Sequence, residues 1–263
     1  MTRPPDVPRH GRGADRPPPR RLLITYPERT GSATEAAVVG RARHGAGSTV
    51  QRGNMSVEVA DHIRSMIFDG RLRAAQRVPQ DAIAAELGVS RLPVREALIT
   101  LEADGLVAAE PHRGVFVVPI RAEDIEDHYR LYGMAQGLAA AGAVRRITAP
   151  VLARLDELVA GMADGGDPDL MHDLNWEFHS LVNRTGASSR TLSVLRHLSH
   201  ALPREVYSLP DPASPEANRG HARIVAALRA GDAAAVDVAN REHMQREGDQ
   251  VVAALKRAGV LSV

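Results

Sequence analysis

Two sets of side chains in this sequence have the types and spacing to do chemistry: an arginine pair near residue 90 and three histidines in the second half. Arg91 and Arg95 follow Ser90 and are four residues apart, a spacing that places two side chains on one face of a helix. The guanidinium group of arginine can donate to O6 and N7 of one guanine in the major groove of DNA. The pair therefore indicates a helix that reads double-stranded DNA, and two arginines on a solvated helix face are the alternative interpretation.

The histidines form the second pattern. Asn175 and His179 are four residues apart, and His221 and His243 lie ten residues before and twelve residues after Gly231. In an antiparallel helical hairpin with a rise of about 1.5 Å per residue, the last two imidazoles would lie roughly 15 and 18 Å from the turn. Three converging imidazoles and an amide oxygen would suit a divalent metal such as zinc, nickel or manganese. Hydrogen-bonded core histidines are the alternative interpretation.

The stretch from Asp81 to Leu98 contains the elements that would position the arginines. Gly88 can adopt the left-handed conformation that ends a helix, and Ser90 can cap the next helix. Pro93 falls in the first turn of that helix, where a missing N–H costs little. Apolar residues repeat at helical spacing along its inner face, at Val94, Ala97, Leu98 and Leu101. We therefore predict a helix-turn-helix with both arginines on its outer face.

The flanking segments extend this prediction to a winged helix. An amphipathic helix is predicted over residues 56–69, and two β-rich runs within 105–118 surround a Pro-His-Arg-Gly turn. His112, Arg113 and Gly114 would then lie at the tip of the wing, where they could reach a phosphate or the minor groove.

These residues resemble the DNA-binding domain of GntR-type bacterial transcription regulators. The resemblance covers about residues 57–118, with Gly-Val-Ser-Arg-Leu-Pro-Val-Arg-Glu-Ala-Leu at 88–98 and Leu-Glu-Ala-Asp-Gly-Leu-Val at 101–107. Leu92 replaces a small polar residue common in the family, and Asp81 stands where some members carry a further arginine. The resemblance implies contacts to operator DNA from Ser90, Arg91, Arg95, His112 and Gly114.

Composition limits the remaining possibilities. The chain has 263 residues, a formal charge of +1 and no cysteine, which allows two modest domains and excludes disulfides. Residues 1–54 are rich in Pro, Arg, Gly and Ser, so they predict a disordered basic tail, which either attracts phosphates or results from a start codon upstream of Met55. The apolar run 22–26 is too short for a signal peptide or membrane span. We expect a cytoplasmic, nucleoid-associated bacterial protein with no membrane partner.

The predicted fold class is mainly α. A winged helix-turn-helix with a small β-hairpin over 55–119 is followed by a linker at 120–123 and an antiparallel all-α bundle over 124–259. Helix boundaries marked by Pro, Gly, Asp and Ser predict about six helices in the bundle. These lie near 123–146, 150–162, 168–185, 188–207, 215–230 and 232–258.

The bundle resembles the FCD ligand-sensing domain that accompanies this type of DNA-binding domain. The shared motifs are Asn-x-x-Phe-His at 175–179, His-x-x-Ile-Val-x-Ala-Leu-x-x-Gly-Asp at 221–232 and His-Met at 243–244. In that family an Asp and three His hold a divalent metal, which helps to bind a small carboxylate effector. The resemblance implies that His179, His221 and His243 are ligands, and that Asn175 occupies the Asp position with one negative charge fewer.

A further departure concerns the effector. Tyr132 and Gln136 stand near positions where many members carry an Arg that takes the effector carboxylate and a Glu. The resemblance therefore implies a less acidic effector, or one held by another cation such as Arg130, Arg184 or Arg204. Packing between helices is the alternative role for Tyr132 and Gln136.

The resemblance as a whole implies a ligand-responsive transcriptional repressor. It would bind an inverted-repeat operator as a homodimer and respond to a small organic acid. A three-histidine metal-dependent hydrolase is the alternative, but Glu177, its nearest general base, would point away from the His179 face. An RNA or single-strand binder would need a stacking platform, and only 3% of the residues are aromatic. We therefore expect no enzymatic activity.

Overall fold

The computed structural model describes residues 46–210 and 213–262. In chain order, the helices and strands are α1 (Ala46–Phe68), α2 (Gln80–Leu87), α3 (Arg91–Ala103), β1 (Val107–Glu110), β2 (Gly114–Val117), α4 (Ala122–Ala143), α5 (Ala149–Ala163), α6 (Pro168–Gly186), α7 (Ser189–Ala201), α8 (Arg204–Tyr207), α9 (Pro215–Ala230) and α10 (Ala233–Arg257). The predicted class, mainly α with a winged helix-turn-helix and a helical bundle, is confirmed. The predicted tail falls outside the described residues up to residue 45.

The winged helix comprises α1 to α3 and the hairpin. Gly88 ends α2 in the left-handed conformation with φ 64°, as predicted. Ser90 occupies the N-cap position of α3 but makes no capping hydrogen bond with its side chain, contrary to the expectation. The four apolar residues of the inner face of α3 are all buried. β1 pairs antiparallel with β2, with Val107 opposite Val117.

Two boundaries in this region differ from the predicted ones. Helix α1 begins at Ala46, ten residues before Ser56, because residues 46–54 contain no proline to interrupt the backbone hydrogen bonds. The predicted linker is partly helical, since α4 begins at Ala122. Ile120 just before it is buried, and its carbonyl accepts a 2.8 Å hydrogen bond from the N–H of Ser262. The connection is therefore docked against the end of the chain.

Helices α4 to α10 form the bundle, one helix more than predicted. The predicted helix at 188–207 is divided into α7 and α8 at Leu202, which is extended with φ −109° and ψ 151°. Pro203 accounts for the break because a proline disfavours the helical conformation of the residue before it and cannot donate a backbone hydrogen bond.

Close helix contacts position the inner residues of the bundle. A side chain at Gly133 would contact Met244, and one at Gly137 would contact Asp237, so α4 and α10 run antiparallel. A Cβ at Gly142 would lie 2.5 Å from the carbonyl oxygen of Gly186. Such approach is possible only for glycine, and it fixes α6 against α4.

The winged helix and the bundle share buried apolar contacts. One continuous cluster contains Val59 and Leu98 from the winged helix together with Tyr129 and Leu255 from α4 and α10. A second cluster, which includes Phe178 and Ile224, lies inside the bundle. The shared cluster gives the bundle a direct packing route to the helices of the winged helix.

Candidate nucleic-acid interface and metal centre

The outer face of α3 carries the predicted arginines. Arg91 and Arg95 are exposed, and the Arg91 side chain retains 76% of its accessible surface while its Nε lies 2.7 Å from Oδ1 of Asp81. Leu92, whose side chain does not join the core, is also half exposed. This face therefore offers guanidinium donors and one apolar side chain, which can contact a thymine methyl group.

The wing has the backbone geometry of a tight turn. His112 has φ 61° and Gly114 has φ 110°, a left-handed region that favours glycine. The guanidinium of Arg113 contacts Glu110 and lies 5.3 Å from the ring centroid of Phe116, a cation–π distance. The turn therefore exposes His112 and Arg113 at the end of the hairpin.

Arg77 is a basic residue of this region that sequence reasoning missed. A Cβ at Gly114 would lie 2.6 Å from Nε of Arg77, and Arg77 bridges to Phe116 of β2. Because Arg77 precedes α2 in an irregular segment, no periodic pattern indicates its position. The pairing with β2 places an additional exposed guanidinium beside the wing.

The three predicted histidines converge inside the bundle. His179 on α6, His221 on α9 and His243 on α10 are all buried. Their ring centroids are 5.4 Å apart for His179 and His221, 5.2 Å for His179 and His243, and 4.4 Å for His221 and His243. Three separate helices thus contribute to one cluster.

Glu247, which sequence reasoning missed, adds a carboxylate to this cluster. Its Oε1 lies 3.2 Å from Nε2 of His243, and Nε2 of His243 lies 3.3 Å from Nε2 of His179. One donor atom from each histidine and one from Glu247 all lie within 4.8 Å of one another. When a tetrahedral ion lies about 2.0–2.1 Å from each ligand atom, two of its ligand atoms are about 3.3 Å apart. The 3.2 and 3.3 Å distances between donor atoms of the cluster therefore fit a bound metal.

Unsatisfied polar atoms give a second indication that the residues fit an ion. Both ring nitrogens of His221 and Oδ1 of Asn175 are buried and have no hydrogen-bond partner among the described residues. A buried polar atom without a partner costs roughly 1–3 kcal/mol. A cation bound at the cluster would accept a lone pair from one nitrogen of His221 and relieve part of that cost.

The electrostatics of the cluster favour the protonation states that bind metals. Burial, with the nearby charge of His243, lowers the pKa of His179 to about 4. Burial also lowers the pKa of His221 well below its ordinary value, and His243 and His179 act in the same direction. For Glu247 burial opposes ionisation, but His243 and His179 outweigh it and the pKa is lowered. At neutral pH His179 and His221 are therefore neutral and Glu247 is ionised.

Gly220 allows His243 to reach the cluster. A Cβ at residue 220 would lie 2.5 Å from Nδ1 of His243, so any larger residue would displace the ring. On the other side, the ring of Phe178 lies 4.7 Å from that of His221. The imidazoles are thus held by close packing on rigid helices.

The three predicted effector residues are not brought together. Tyr132 and Gln136 are buried on the inner face of α4, and Oε1 of Gln136 is without a hydrogen-bond partner in the described part of the chain. Arg130 is exposed on the outside of the same helix, where it forms ion pairs with Asp127 at 2.8 Å and Glu126 at 3.6 Å. Arg130 therefore does not face the interior positions that an effector would contact.

An arginine-bearing winged helix joined to a helical bundle with a buried donor cluster is the domain arrangement of a transcription regulator. The sequence profile of bacterial regulatory proteins of the gntR family matches residues 55–117, and that of the FCD domain matches residues 127–246. The chain is also 31% identical over 205 residues to the "Probable D-xylose utilization operon transcriptional repressor" of Paenarthrobacter nicotinovorans, covering 73% of this chain and 87% of that protein. This chain belongs to the GntR family and carries an FCD domain.

Other relatives agree with that assignment. An uncharacterised HTH-type transcriptional regulator of Mycobacterium tuberculosis is 33% identical over 147 residues, which cover 56% of this chain and 60% of that regulator. The crystal structure of a GntR regulator from Rhodococcus sp. RHA1 is 28% identical with a TM-score of 0.52, covering 76% of this chain and 99% of the other. The structure of McbR/YncC from E. coli, 22% identical with a TM-score of 0.55 over 77% of this chain and 97% of the other, shares the fold.

Between residues 46 and 262, leaving out 211 and 212, no helix is both long and apolar enough to cross a bilayer.

Proposed function

We propose that this protein is a ligand-responsive repressor that binds an inverted-repeat operator as a homodimer. The observation that carries the proposal is the presence in one chain of an exposed arginine face on α3 and a buried donor cluster in the bundle. One winged helix reads one half-site, so two copies are needed for an inverted repeat. The name of the Paenarthrobacter relative supports repression.

The DNA contacts are assigned to two parts of the winged helix. Arg91 and Arg95, with Ser90 at the N-terminus of α3, would contact the major groove. The wing tip, formed by His112, Arg113 and Gly114, would contact phosphates or the minor groove. The site of action would then be the operator DNA of the bacterial nucleoid.

The donor cluster would hold a divalent metal through His179, His221 and His243. Zinc, nickel or manganese would suit imidazole ligands, and a bound ion would supply a Lewis-acidic position to which an oxygen of a small effector can bind. Asn175 would contribute its carbonyl oxygen, which has no other partner in the described chain. Tyr132 and Gln136 would contact the effector from α4.

Coupling between the two regions is proposed to follow the contacts they share. Asp104, at the end of α3, forms an ion pair with Arg64 of α1 through Oδ2, at 2.8 Å. Oδ1 of Asp104 lies 3.8 Å from Nε2 of His197 on α7. An effector that moves α7 would therefore act on a residue adjoining the recognition helix. The effector can shift the DNA-binding equilibrium only by its difference in affinity for the two arrangements.

The hydrolase alternative receives no support from the geometry. Glu177, the general base that sequence reasoning offered for it, accepts hydrogen bonds from Nε and Nη2 of Arg154 at 2.8 and 3.0 Å. Those contacts pair the carboxylate with an arginine of α5, and Glu177 is not among the residues of the donor cluster.

The proposal is tested by selection from random DNA duplexes of about three helical turns, with the purified full chain. We expect enrichment of an inverted repeat, and binding of two chains per selected duplex by analytical ultracentrifugation. Single-stranded DNA of the same sequence should compete poorly. Enrichment of a single half-site by a monomer would contradict the dimeric arrangement, and no enrichment at all would contradict operator binding.

A further inference from the structure

The unusual feature of the donor cluster is the location of its negative charge. On α6 the residue four positions before His179 is Asn175, whose amide is neutral. On α10 the residue four positions after His243 is Glu247, whose Oε1 lies 3.2 Å from Nε2 of His243. The cluster therefore contains a carboxylate, but that carboxylate lies on α10 and follows His243 in sequence. The neutral Asn175 lies on α6 and precedes His179.

We propose that Glu247 is the anionic metal ligand of this protein and takes over the charge that Asn175 cannot supply. The inference rests on the proposed metal-binding function and specifies how that function is achieved in this chain. Asn175 is then a neutral oxygen ligand. The site holds three imidazoles, one carboxylate and one amide oxygen, a set suited to a divalent ion of intermediate softness.

The other acidic residues of α10 are paired with arginine or, like Asp249, exposed to solvent. Asp237 pairs with Arg241, and Glu242 pairs with both Arg223 and Arg246. Glu247 has no such arginine partner among the described residues, and only 13% of its side chain is exposed.

Burial of a carboxylate is costly unless a cation compensates for it. Among the described residues, the side chain paired with its Oε1 is that of His243, and an imidazole that ligates a metal through this nitrogen must be unprotonated. An ion at the cluster would compensate the carboxylate and leave all three histidines as ligands, and it would also give one of the unpaired ring nitrogens of His221 a partner.

The experiment measures zinc affinity of the chelator-stripped full chain by competition with a chromophoric chelator. E247Q removes the charge and keeps the shape, and E242Q is the matched control on the exposed part of α10. We expect E247Q to bind zinc at least about 10-fold more weakly. A loss of about 10-fold is the smallest that is typical when a residue that only hydrogen-bonds to a metal ligand is changed, and a ligand itself should contribute more. E242Q should bind as the unchanged protein does.

A second variant protects the test against misfolding. N175D/E247Q restores a carboxylate on α6, and it should recover most of the lost affinity if the charge is what matters. The visible spectrum of bound Co²⁺ should differ between E247Q and the unchanged protein, since a ligand has changed. Each apo variant is compared by its melting curve.

The outcomes separate the two proposals. If E247Q binds zinc as tightly as the unchanged protein, and the Co²⁺ spectra coincide, Glu247 is not a ligand. The proposed metal site itself would still be supported by the binding of zinc. If N175D/E247Q is folded but does not recover zinc affinity, the proposal that Glu247 supplies the charge missing at Asn175 is likewise wrong. If the unchanged protein itself binds neither zinc nor Co²⁺, the proposed metal function fails together with this assignment.

Discussion

The recognition helix and the histidine cluster hold their polar side chains in opposite ways. Arg91 on α3 and its partner Asp81 are both largely exposed, so water solvates their charges whether or not DNA is present. His221 is fully buried, and its ring nitrogens lack hydrogen-bond partners in the described chain. The arginines can exchange water for a base or phosphate at little cost, whereas the imidazole has lost water and gained no protein partner.

This difference indicates that the stability of the bundle, and not that of the exposed face of α3, depends on a bound ligand. A group that binds only the folded state stabilises it in proportion to the logarithm of ligand concentration over Kd. Occupation of the cluster should therefore raise the stability of the bundle. Changes on the exposed face of α3 should instead alter DNA binding and leave stability almost unchanged.

The largest effect is expected for His221→Ala. Structural zinc sites gain about 10–16 kcal/mol from their ligands together, so loss of one ligand should weaken zinc binding by at least about 100-fold. Competition with a chromophoric chelator measures the affinity. Melting curves with and without zinc should show a stabilisation of the unchanged protein that the variant lacks.

Arg95→Ala is the matched control for His221→Ala, because it changes a charged residue on the other region. It should leave the zinc affinity and the zinc-dependent melting shift intact. If His221→Ala unfolds the protein and its zinc content does not change, the histidines are packing residues and the contrast between the regions fails.

A buried histidine outside the cluster separates the effect of burial from that of metal. Burial, reinforced by His197, lowers the pKa of His128 to about 4, while Nε2 of His128 lies 2.9 Å from the Tyr207 hydroxyl. Tyr207 donates to the Leu198 carbonyl, so the imidazole must donate to Tyr207. As pH falls below about 6.5, the unfolded chain takes up a proton that the folded protein does not, and stability decreases until pH reaches about 4.

His128→Gln should remove this contribution, which amounts to at most about 3 kcal/mol, and should leave zinc affinity unchanged. Urea unfolding at pH 7.5 and 4.5 measures it for both proteins. The variant should lose less stability between the two pH values than the unchanged protein. An identical pH dependence would show that His128 titrates equally in the folded and unfolded states.

The recognition helix should show smaller and more specific effects. Arg91→Ala and Arg95→Ala are each expected to cost about 1–3 kcal/mol of discrimination at one base position if the arginine reads a guanine. Binding to a panel of single-base variants of the selected operator measures this cost. A uniform loss on every duplex, with a shallower salt dependence, would instead assign the arginine to a phosphate.

The two regions also differ in how far sequence predicts them. The recognition helix is specified by local signals: Gly88 ends one helix, the next begins after Ser90, and a 3.6-residue period fixes the buried face. The residues outside this buried set, which include Arg91 and Arg95, must then lie on the outer face of α3. Convergence of His221 and His243 was predictable for a similar reason, since Gly231 adopts the left-handed turn, with φ 70°, about which their heights could be counted.

What sequence did not predict depends on contacts between distant helices. Glu247 follows His243 at a helical spacing, but a glutamate on a long helix is ordinarily solvated, whereas only 13% of this side chain is exposed because other helices pack against α10. Arg130 and Gln136 illustrate the same limit, because they are close in sequence but lie on opposite faces of α4. The face toward the interior is decided by helix crossings such as that of Gly142 against Gly186.

The smallest effect is expected for Asp81→Asn, which removes the partner of Arg91. Both side chains are exposed, so the ion pair should contribute less than about 1 kcal/mol to the free energy of unfolding. DNA binding should become tighter and more dependent on salt, because one negative charge near the phosphates is lost and the Arg91 guanidinium no longer has a competing partner. Operator affinity measured between 50 and 200 mM salt tests this. If Asp81→Asn reduces discrimination at the same base position as Arg91→Ala, Asp81 positions the guanidinium for base contact, and the exposed face of α3 is preorganised by protein contacts as the histidine cluster is.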